Sequence, residues 1–351
     1  MALTERLKDF TVASVLASRG TSDSGAPFVL FEDEVVTFGQ VESRAEALAA
    51  SLHNLGVEPG DRIAVVLPAC PEFLVAVFAA AKLGAVLVPM NPRLTVPEVR
   101  YMLRHSEAVA AVTVERYHGT DFLHLFEELI SQLPELQYVV TVGEEDLWYD
   151  DRIFQLEDLL SAGEGRDYEA AGLDPESALF AILYTSGTTG KPKGVRLTHA
   201  NVLGAAAAGV EALGLTAEDR LAGVTGLFHA FGIVHGILGP ILTGASLVLH
   251  DGFDGAGVLD LMARHSVTVQ LSVPALLRVQ AYEQEKDPRD LSALRLVVAA
   301  GAPIEAELFE RVRSSMESEI AVAYGLTETG GAVAVALPQD GEENVRQTVG
   351  R

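Results

Sequence analysis

In the first third of the chain, apolar positions alternate between helical spacing and continuous runs. Apolar residues three or four positions apart predict an amphipathic helix that Thr37 caps: Val41, Ala45, Leu48 and Leu52. Continuous apolar runs at 62–67, 85–89 and 108–114 predict buried strands, and the segment 73–83 predicts a second helix. Strands separated by helices of about 10–15 residues are typical of βαβ units and a mostly parallel sheet.

Residues 115–172 are more polar, and their acidic segments 144–146 and 149–151 predict solvated loops. The alternation resumes at Ala178, with strand-like runs at 179–184, 246–249, 267–272, 296–300 and 319–324 and helical patterns at 201–212, 257–265 and 305–316. We therefore predict an α/β fold with two doubly wound, mostly parallel sheets flanked by helices. The predicted subdomains are 56–209, the first, and 1–55 together with 210–351, the second.

One long segment, 221–249, has 29 residues without Lys, Arg, Asp or Glu. A membrane span needs about 20 apolar residues, so length alone would permit one. Six glycines, Pro240, His229 and His235 interrupt the segment. They predict a strand end, a small-residue helix and a second strand in the protein interior, rather than a membrane span.

Composition and charge narrow the function classes. Apolar residues make up 49% of the 351 residues, which is enough for a large packed core. Lys and Arg number 25 against 49 Asp and Glu, a net charge of −24 that disfavours nucleic acid as a partner. The single cysteine, Cys70, excludes a disulfide within the chain and a cysteine-based zinc cluster. With no signal-like pattern at Met1–Arg6, we expect a cytoplasmic location; the oligomeric state is open, with a homodimer as one option.

The segment 184–194, with the sequence YTSGTTGKPKG, concentrates phosphate-binding chemistry. It follows a predicted buried strand, precedes a helix expected near Thr198, and combines hydroxyls, glycines and cations: Thr185, Ser186, Gly187, Thr188, Thr189, Gly190, Lys191 and Lys193. Backbone amides, hydroxyls and ammonium groups together predict an anion cradle in this acidic chain. Pro192 after Lys191 departs from the phosphate-loop pattern GxxxxGK[ST], and Ser186 lacks the glycines of a nucleophile elbow. An ordinary Ser/Thr/Gly loop is the alternative interpretation.

This segment resembles the signature of the adenylate-forming superfamily, which includes acyl-CoA synthetases, aryl-CoA ligases, luciferases and peptide-synthetase adenylation domains. Four further segments resemble family motifs in the same order along the chain: Pro89–Arg93, Phe228–Gly232, Gly301–Pro303 and Tyr324–Glu328. The resemblance covers nearly the whole chain. It implies the fold of the large N-terminal domain of such an enzyme, and ATP, Mg²⁺ and coenzyme A as cofactors.

The resemblance also implies residue roles. Nucleotide contacts are expected from Thr185, Ser186, Gly187, Thr188, Thr189, Gly190, Lys191, Gly301, Ala302, Pro303, Tyr324, Gly325 and Thr327. The expected catalytic residues are Thr185, Lys191, His229, Thr327 and Glu328, with Glu328 as the Mg²⁺ ligand. The acid substrate is expected to contact His229, Phe231, Val322 and Ala323. His235 has no motif support and is interpreted as a core or pocket-wall residue.

In the implied reaction, a carboxylate attacks the α-phosphorus of ATP, pyrophosphate leaves, and the acyl group then passes to coenzyme A. Members that activate amino acids usually carry Asp where His229 stands here, so a fatty or aryl carboxylate is favoured. Family members continue well beyond the position that Val349–Arg351 resembles. We therefore expect a truncated N-terminal portion that binds nucleotide weakly and has little ligase activity alone.

Three alternatives stay open at this point. The first is an acyl-AMP ligase that delivers the acyl group to a carrier protein. The second is a non-catalytic module that binds a nucleotide or an acyl group. The third, an ordinary phosphate-loop NTPase, is disfavoured by the missing GK[ST].

Overall fold

The computed structural model describes residues 2–145, 150–168, 172–185, 190–223 and 226–350. The strands are β1 Pro27–Phe31, β2 Glu34–Thr37, β3 Arg62–Val66, β4 Val86–Pro89, β5 Ala108–Val114, β6 Arg116–Tyr117, β7 Thr120–Asp121, β8 Tyr138–Val142, β9 Ile153–Gln155, β10 Leu179–Thr185, β11 Lys193–Thr198, β12 Arg220–Gly223, β13 Ser246–Leu249, β14 Val269–Ser272, β15 Leu296–Ala299, β16 Glu319–Leu326 and β17 Gly331–Ala336.

The α-helices are α1 Leu3–Arg6, α2 Val12–Ser22, α3 Phe38–Asn54, α4 Pro71–Leu83, α5 Val96–Ser106, α6 Phe122–Gln132, α7 Leu156–Gly163, α8 His199–Leu213, α9 Gly239–Thr243, α10 Gly255–Arg264, α11 Pro274–Lys286, α12 Ala306–Met316 and α13 Glu342–Gln347. A π-helix spans Phe231–Leu238, and 3-10 helices span Thr327–Thr329 and Pro338–Asp340.

The chain divides into two compact units, each built from separate segments. Unit A comprises Met1–Arg6, Gly25–Thr37 and Val202–Arg351. Unit B comprises Leu7–Ser24 and Phe38–Asn201. The subdomain boundaries predicted from the sequence, 56–209 and 1–55 with 210–351, stay a prediction.

Unit B contains a sheet whose strands, within the described residues, lie in the order β11-β10-β4-β3-β5-β8-β9. All neighbouring strands pair in parallel except β10 and β11, which form an antiparallel hairpin at one edge. The central strands β3, β4 and β5 are almost wholly buried, because parallel strands covered by helices have two apolar faces.

Unit A contains the second sheet, in the order β17-β16-β15-β14-β12-β13-β1-β2 across the described residues. It is parallel through its centre and antiparallel at both edges, in the pairs β1–β2 and β16–β17. An apolar cluster joins its strands to α10, α11 and α12, with Val258, Leu277, Val297, Leu308 and Ile320 among its members. Two mostly parallel sheets with flanking helices confirm the predicted fold class.

Local sequence explains where the helices of unit B begin and end. Helix α4 begins with Pro71 and ends at Gly84. Amide hydrogens in the first turn have no partner within the helix, so proline costs no hydrogen bond there, and glycine readily adopts the left-handed conformation at the end. At the start of α5, Glu98 accepts hydrogen bonds from the Thr95 amide and hydroxyl at 2.8 and 2.6 Å. Such capping satisfies donors that the helix leaves unpaired, so it fixes the start of α5.

One sequence prediction needs correction, and one is confirmed. The polar segment 115–172 contains α6, β8, β9 and α7, because single apolar positions at helical spacing bury one face of each helix even where the mean polarity is high. The acidic segments 144–146 and 149–151 lie partly outside the described residues. The helix expected near Thr198 is confirmed as α8, which begins at His199, and strand β11 directly precedes it.

The uncharged segment 221–249 is divided as predicted. It contributes the end of β12, the π-helix Phe231–Leu238, α9 and β13. Across the parts of the chain that the structure describes, no helix has both the length and the apolarity to cross a bilayer. The π-helix and β13 are almost wholly buried in unit A, so the absence of charge reflects an interior position.

Candidate functional site

A pocket of about 150 Å³ lies in unit A, at the carboxyl ends of the parallel strands β15 and β16 and beside the start of the π-helix. In α/β sheets this edge is the usual place for ligands. The pocket is lined by His229, Ala230, Phe231, Ala300, Gly301, Ala323, Tyr324, Gly325, Leu326, Thr327, Gly331 and Ala332. It brings together the candidate residues His229, Phe231, Gly301, Ala323, Tyr324, Gly325 and Thr327.

The pocket offers an aromatic face, a hydroxyl and an imidazole against an apolar wall. Tyr324 is 46% exposed, so its ring is open to a ligand. Thr327 is the first residue of the 3-10 helix that follows β16, and it is half-buried. The His229 ring lies 4.5 Å from the Phe228 ring, centroid to centroid, and desolvation by its surroundings lowers the pKa of His229. A neutral imidazole can still donate one hydrogen bond.

His235 connects the π-helix to β17 directly behind this pocket. Its side chain is buried, with 4% exposure, and its Nε2 accepts a hydrogen bond from the Ala332 amide at 3.0 Å. A Cβ at Gly331 would lie 2.6 Å from that Nε2, and Gly331 has a φ of 127°, so both space and backbone conformation favour glycine there. His235 thus holds the backbone of the pocket residue Ala332 and leaves no space for a side chain at position 331. The sequence predicts a core or pocket-wall position for His235, but it does not predict the hydrogen bond to Ala332.

Burial lowers the pKa of His235 to about 4 from the usual 6.5, and this predicts a pH-dependent stability. Between pH 6.5 and 4 the unfolded chain binds a proton at this residue and the folded chain does not. The free energy of unfolding should therefore fall as the pH falls through this window, by about 3 kcal/mol for this residue. The measurement is urea denaturation of wild type and His235→Gln at pH 7, 5.5 and 4.

Glutamine keeps an acceptor for the Ala332 amide but does not titrate, so His235→Gln isolates the imidazole from the carboxylates that also titrate in acid. We expect the variant to lose less stability than wild type between pH 7 and 4. Equal losses in the two proteins would contradict the prediction. His199, whose pKa burial also lowers to about 4, should contribute equally to both.

Four other candidate residues of unit A do not line the pocket described above. Val322 is 7% exposed and packs in the apolar cluster with α10, α11 and α12, so its position does not favour the proposed contact with substrate. Ala302 and Pro303 follow Gly301 and are exposed. Glu328 is exposed in the 3-10 helix Thr327–Thr329 and makes no hydrogen bond or ion pair with any residue that the structure describes.

The phosphate loop, Thr185–Lys191, belongs to unit B and connects the antiparallel strands β10 and β11. The register pairs Tyr184 with Gly194 and Thr185 with Lys193, so the two ends of the loop are joined by the strand ladder. Thr185 is half-buried, and Gly190, Lys191 and Lys193 are exposed. The candidates Ser186, Gly187, Thr188 and Thr189 lie outside the described residues.

The chain belongs to the AMP-binding enzyme family, whose model matches residues 17–351. This confirms the resemblance to adenylate-forming enzymes and places the chain in the N-terminal portion of such proteins. It is 33% identical over 326 residues to the 3-[(3aS,4S,7aS)-7a-methyl-1,5-dioxo-octahydro-1H-inden-4-yl]propanoyl:CoA ligase of Mycobacterium tuberculosis, covering 92% of this chain and 63% of that protein.

Two further comparisons are informative. The salicyl-AMP ligase / salicyl-S-ArCP synthetase of Mycobacterium tuberculosis is 31% identical over 317 residues, covering 90% of this chain and 54% of that protein. The crystal structure of the anthranilate CoA ligase AuaEII in complex with anthranoyl-AMP superposes with a TM-score of 0.89 at 27% identity, covering 100% of this chain and 66% of that chain. The chain thus spans about half to two thirds of the length of these relatives.

Proposed function

We propose that this chain is part of an enzyme that activates a fatty or aryl carboxylic acid with ATP and transfers the acyl group to coenzyme A. The observation that carries the proposal is the pocket of unit A. There, Tyr324, Thr327 and His229 lie around a cavity whose other walls are mostly apolar. The names of the relatives, two of them CoA ligases, support the same reaction class.

In the proposed first step, a carboxylate oxygen forms a bond to the α-phosphorus of ATP, and the bond to the bridging α–β oxygen breaks with release of pyrophosphate. In the second step, the thiol sulfur of coenzyme A bonds to the acyl carbon, AMP leaves, and the thiol proton passes to water. Thr327 would donate a hydrogen bond to the α-phosphate, Tyr324 would stack on adenine, and His229 would donate to the carboxylate. In unit B, Thr185 and Lys191 would contact phosphates.

Glu328 fits the role of a Mg²⁺ ligand. Mg²⁺ is typically bound by one or two carboxylates together with substrate phosphates and water, rather than by an all-protein cage. The Glu328 carboxylate is exposed, and it makes no hydrogen bond or ion pair with any described residue. When bound, the ion would neutralise phosphate charge.

The lining of the pocket supports the proposed substrate class. Among the described residues that line it there is no Asp or Glu, and desolvation favours the neutral form of His229. The ammonium group of an amino acid would therefore be buried there without a counter-charge, which is costly. Phe231 and Ala323 instead offer apolar contact to an alkyl or aryl group.

The test is calorimetric titration of the chain with non-hydrolysable acyl-sulfamoyl adenosines that carry short, medium, long, aromatic and aminoacyl groups. We expect at least one plain acyl or aryl analogue to bind about tenfold or more tightly than AMP, and the aminoacyl analogues to bind no more tightly than AMP. Tighter binding of an aminoacyl analogue would contradict the substrate class. Absence of binding by every analogue would contradict the function.

We expect the 351 residues alone to have little ligase activity, because the chain spans only about half to two thirds of the length of the relatives named above. This expectation is checked by ATP–pyrophosphate exchange with the best acid from the titration. Exchange at the rate of full-length ligases would contradict it.

A carrier-protein acceptor is the second candidate, and the name of the salicyl-AMP ligase / salicyl-S-ArCP synthetase favours it. The two acceptors are distinguished by mass spectrometry of the thioester product. The acyl-adenylate is supplied with either coenzyme A or a phosphopantetheine-bearing acyl carrier protein. A thioester on the carrier protein alone would replace the coenzyme A proposal.

A further inference from the structure

Helix α5 contacts the residues on both sides of the phosphate loop. The Tyr101 hydroxyl donates a hydrogen bond to the carbonyl oxygen of Pro192, which directly follows the loop, at 3.2 Å. One turn further along the same helix, His105 Nδ1 and the hydroxyl of Tyr184, which directly precedes the loop, share a hydrogen bond of 2.7 Å. A single helix thus holds both ends of the loop.

The three rings reinforce this arrangement. The Tyr101 and His105 rings stack with centroids 5.4 Å apart and planes 25° apart, and the His105 ring meets the Tyr184 ring edge-on at 5.7 Å. The Tyr184 hydroxyl also donates to the Met102 carbonyl at 3.4 Å. Burial, with Tyr101 nearby, raises the pKa of Tyr184 to about 12, so the phenol keeps its proton at neutral pH.

These polar contacts are not what attaches α5 to unit B. The helix is held by its apolar face, where Val99, Met102 and Leu103 are buried, and its start is fixed by the capping interaction with Thr95. His105 is exposed and Tyr101 is half-buried, so their hydrogen bonds add little to global stability. Their contacts nevertheless fall on the two residues that adjoin the loop.

We propose that Tyr101 and His105 are positioning residues that fix the two ends of the phosphate loop and thereby set the affinity of the protein for the β- and γ-phosphates of ATP. The inference rests on the proposed function, in which this loop contacts nucleotide phosphates. A helix that holds Tyr184 and Pro192 restrains their neighbours Thr185 and Lys191, the described donors at the two ends of the loop, before the ligand arrives. Pre-organisation of this kind increases affinity, because less ordering is needed on binding.

The experiment compares ATP with AMP, which lacks the two outer phosphates, by calorimetry on the full 351-residue chain. Tyr101→Phe keeps the ring and removes only the hydroxyl, and His105→Leu removes the hydrogen bond to Tyr184. We expect each variant to bind ATP about three- to tenfold more weakly, with AMP affinity unchanged. His105→Asn, which retains a nitrogen near the position of Nδ1, should recover most of the ATP affinity.

Tyr138→Phe is the matched control in the same unit. Its hydroxyl donates to the Leu55 carbonyl at 2.5 Å and makes no hydrogen bond to any described residue of the loop, so its removal should leave the ratio of ATP to AMP affinity unchanged. Equal weakening of ATP and AMP, or the same change of ratio in Tyr138→Phe, would overturn the positioning role.

The outcome for wild type separates this inference from the proposed function. If wild type binds ATP and the acyl-sulfamoyl adenosines but Tyr101→Phe and His105→Leu bind ATP equally well, only the positioning role is overturned. If wild type binds none of these ligands, the proposed function is overturned and this inference with it.

Discussion

Replacing Gly325 with alanine is expected to destabilise unit A by about 3 kcal/mol and to abolish the pocket. An added Cβ would overlap the carbonyl group of Gly331 and lie 2.7 Å from the Ala332 Cα. These are backbone atoms of β17, which cannot rotate away as a side chain can. The pairs Gly325–Ala332 and Leu326–Gly331 must therefore separate, and both belong to the pocket wall.

The measurement combines urea denaturation with titration of the best acyl-sulfamoyl adenosine. Gly204→Ala is the control, because Gly204 lies within α8 and a Cβ there meets nothing within 4 Å. Alanine should leave stability unchanged or raise it by about 0.5–1 kcal/mol at that position, because it favours helix. A Gly325→Ala protein with wild-type stability and ligand affinity would show that the two strands separate at little cost.

Replacing Glu328 with glutamine is expected to remove the Mg²⁺-dependent part of ATP binding without changing stability. Glutamine keeps the shape of the side chain but loses the negative charge that a hard cation requires. Neutralisation of phosphate charge by a metal is worth several kcal/mol, so Mg²⁺ should increase the affinity of wild type for ATP. We expect this increase to be about 100-fold smaller in Glu328→Gln. ATP titrations with excess Mg²⁺ and with EDTA measure that gain directly.

Glu319→Gln provides the control at the other end of the same strand, where the carboxylate is also exposed. It should leave the Mg²⁺-dependent gain intact, because the site is at the carboxyl end of β16. Thermal unfolding should be unchanged in both variants. An Mg²⁺ effect that survives in Glu328→Gln would exclude this carboxylate as the metal ligand.

The elements that the sequence predicted well are those whose own residues carry the signal. The strand predicted at 108–114 is observed over those residues, and the helix predicted at 73–83 is observed as Pro71–Leu83. In both, a continuous apolar run is buried on all sides, so pattern and environment agree. Helix α6 has a clear apolar face at Phe122, Phe126 and Leu129, but the high mean polarity of the segment 115–172 hides it.

The edge strands β11 and β17 are harder to predict from the sequence. β11 begins with a lysine and a glycine, and β17 consists largely of glycine and alanine at its start, so neither has strong strand propensity. Each becomes a strand because a long antiparallel partner, β10 or β16, supplies its hydrogen bonds. Strand propensity depends on such neighbours, which a local reading of the sequence does not contain.

Residues from three of the motif segments line the pocket, but the motifs do not give the direction of every side chain. Ala323, Tyr324 and Gly325 are consecutive and all line the pocket, where the register with β17 shifts between Tyr324 and Gly325. Strict alternation would not place three neighbours on one wall, and Val322 instead faces the core. The role of His235 depended equally on a partner, the Ala332 amide, that only the fold brings near.

The parallel pairing of β1 with β13 has a consequence for biosynthesis. The Ser246 hydroxyl and the Pro27 carbonyl that it contacts are 219 positions apart, and Val29 pairs with Leu247 in the same ladder. At roughly 5–20 residues per second, the apolar N-terminal hairpin waits about 10–40 s on the ribosome for its partner strand. During that interval Phe28, Val29 and Leu30 lack their partner strand, so we expect this hairpin to be the segment most exposed to premature association with other chains or with chaperones.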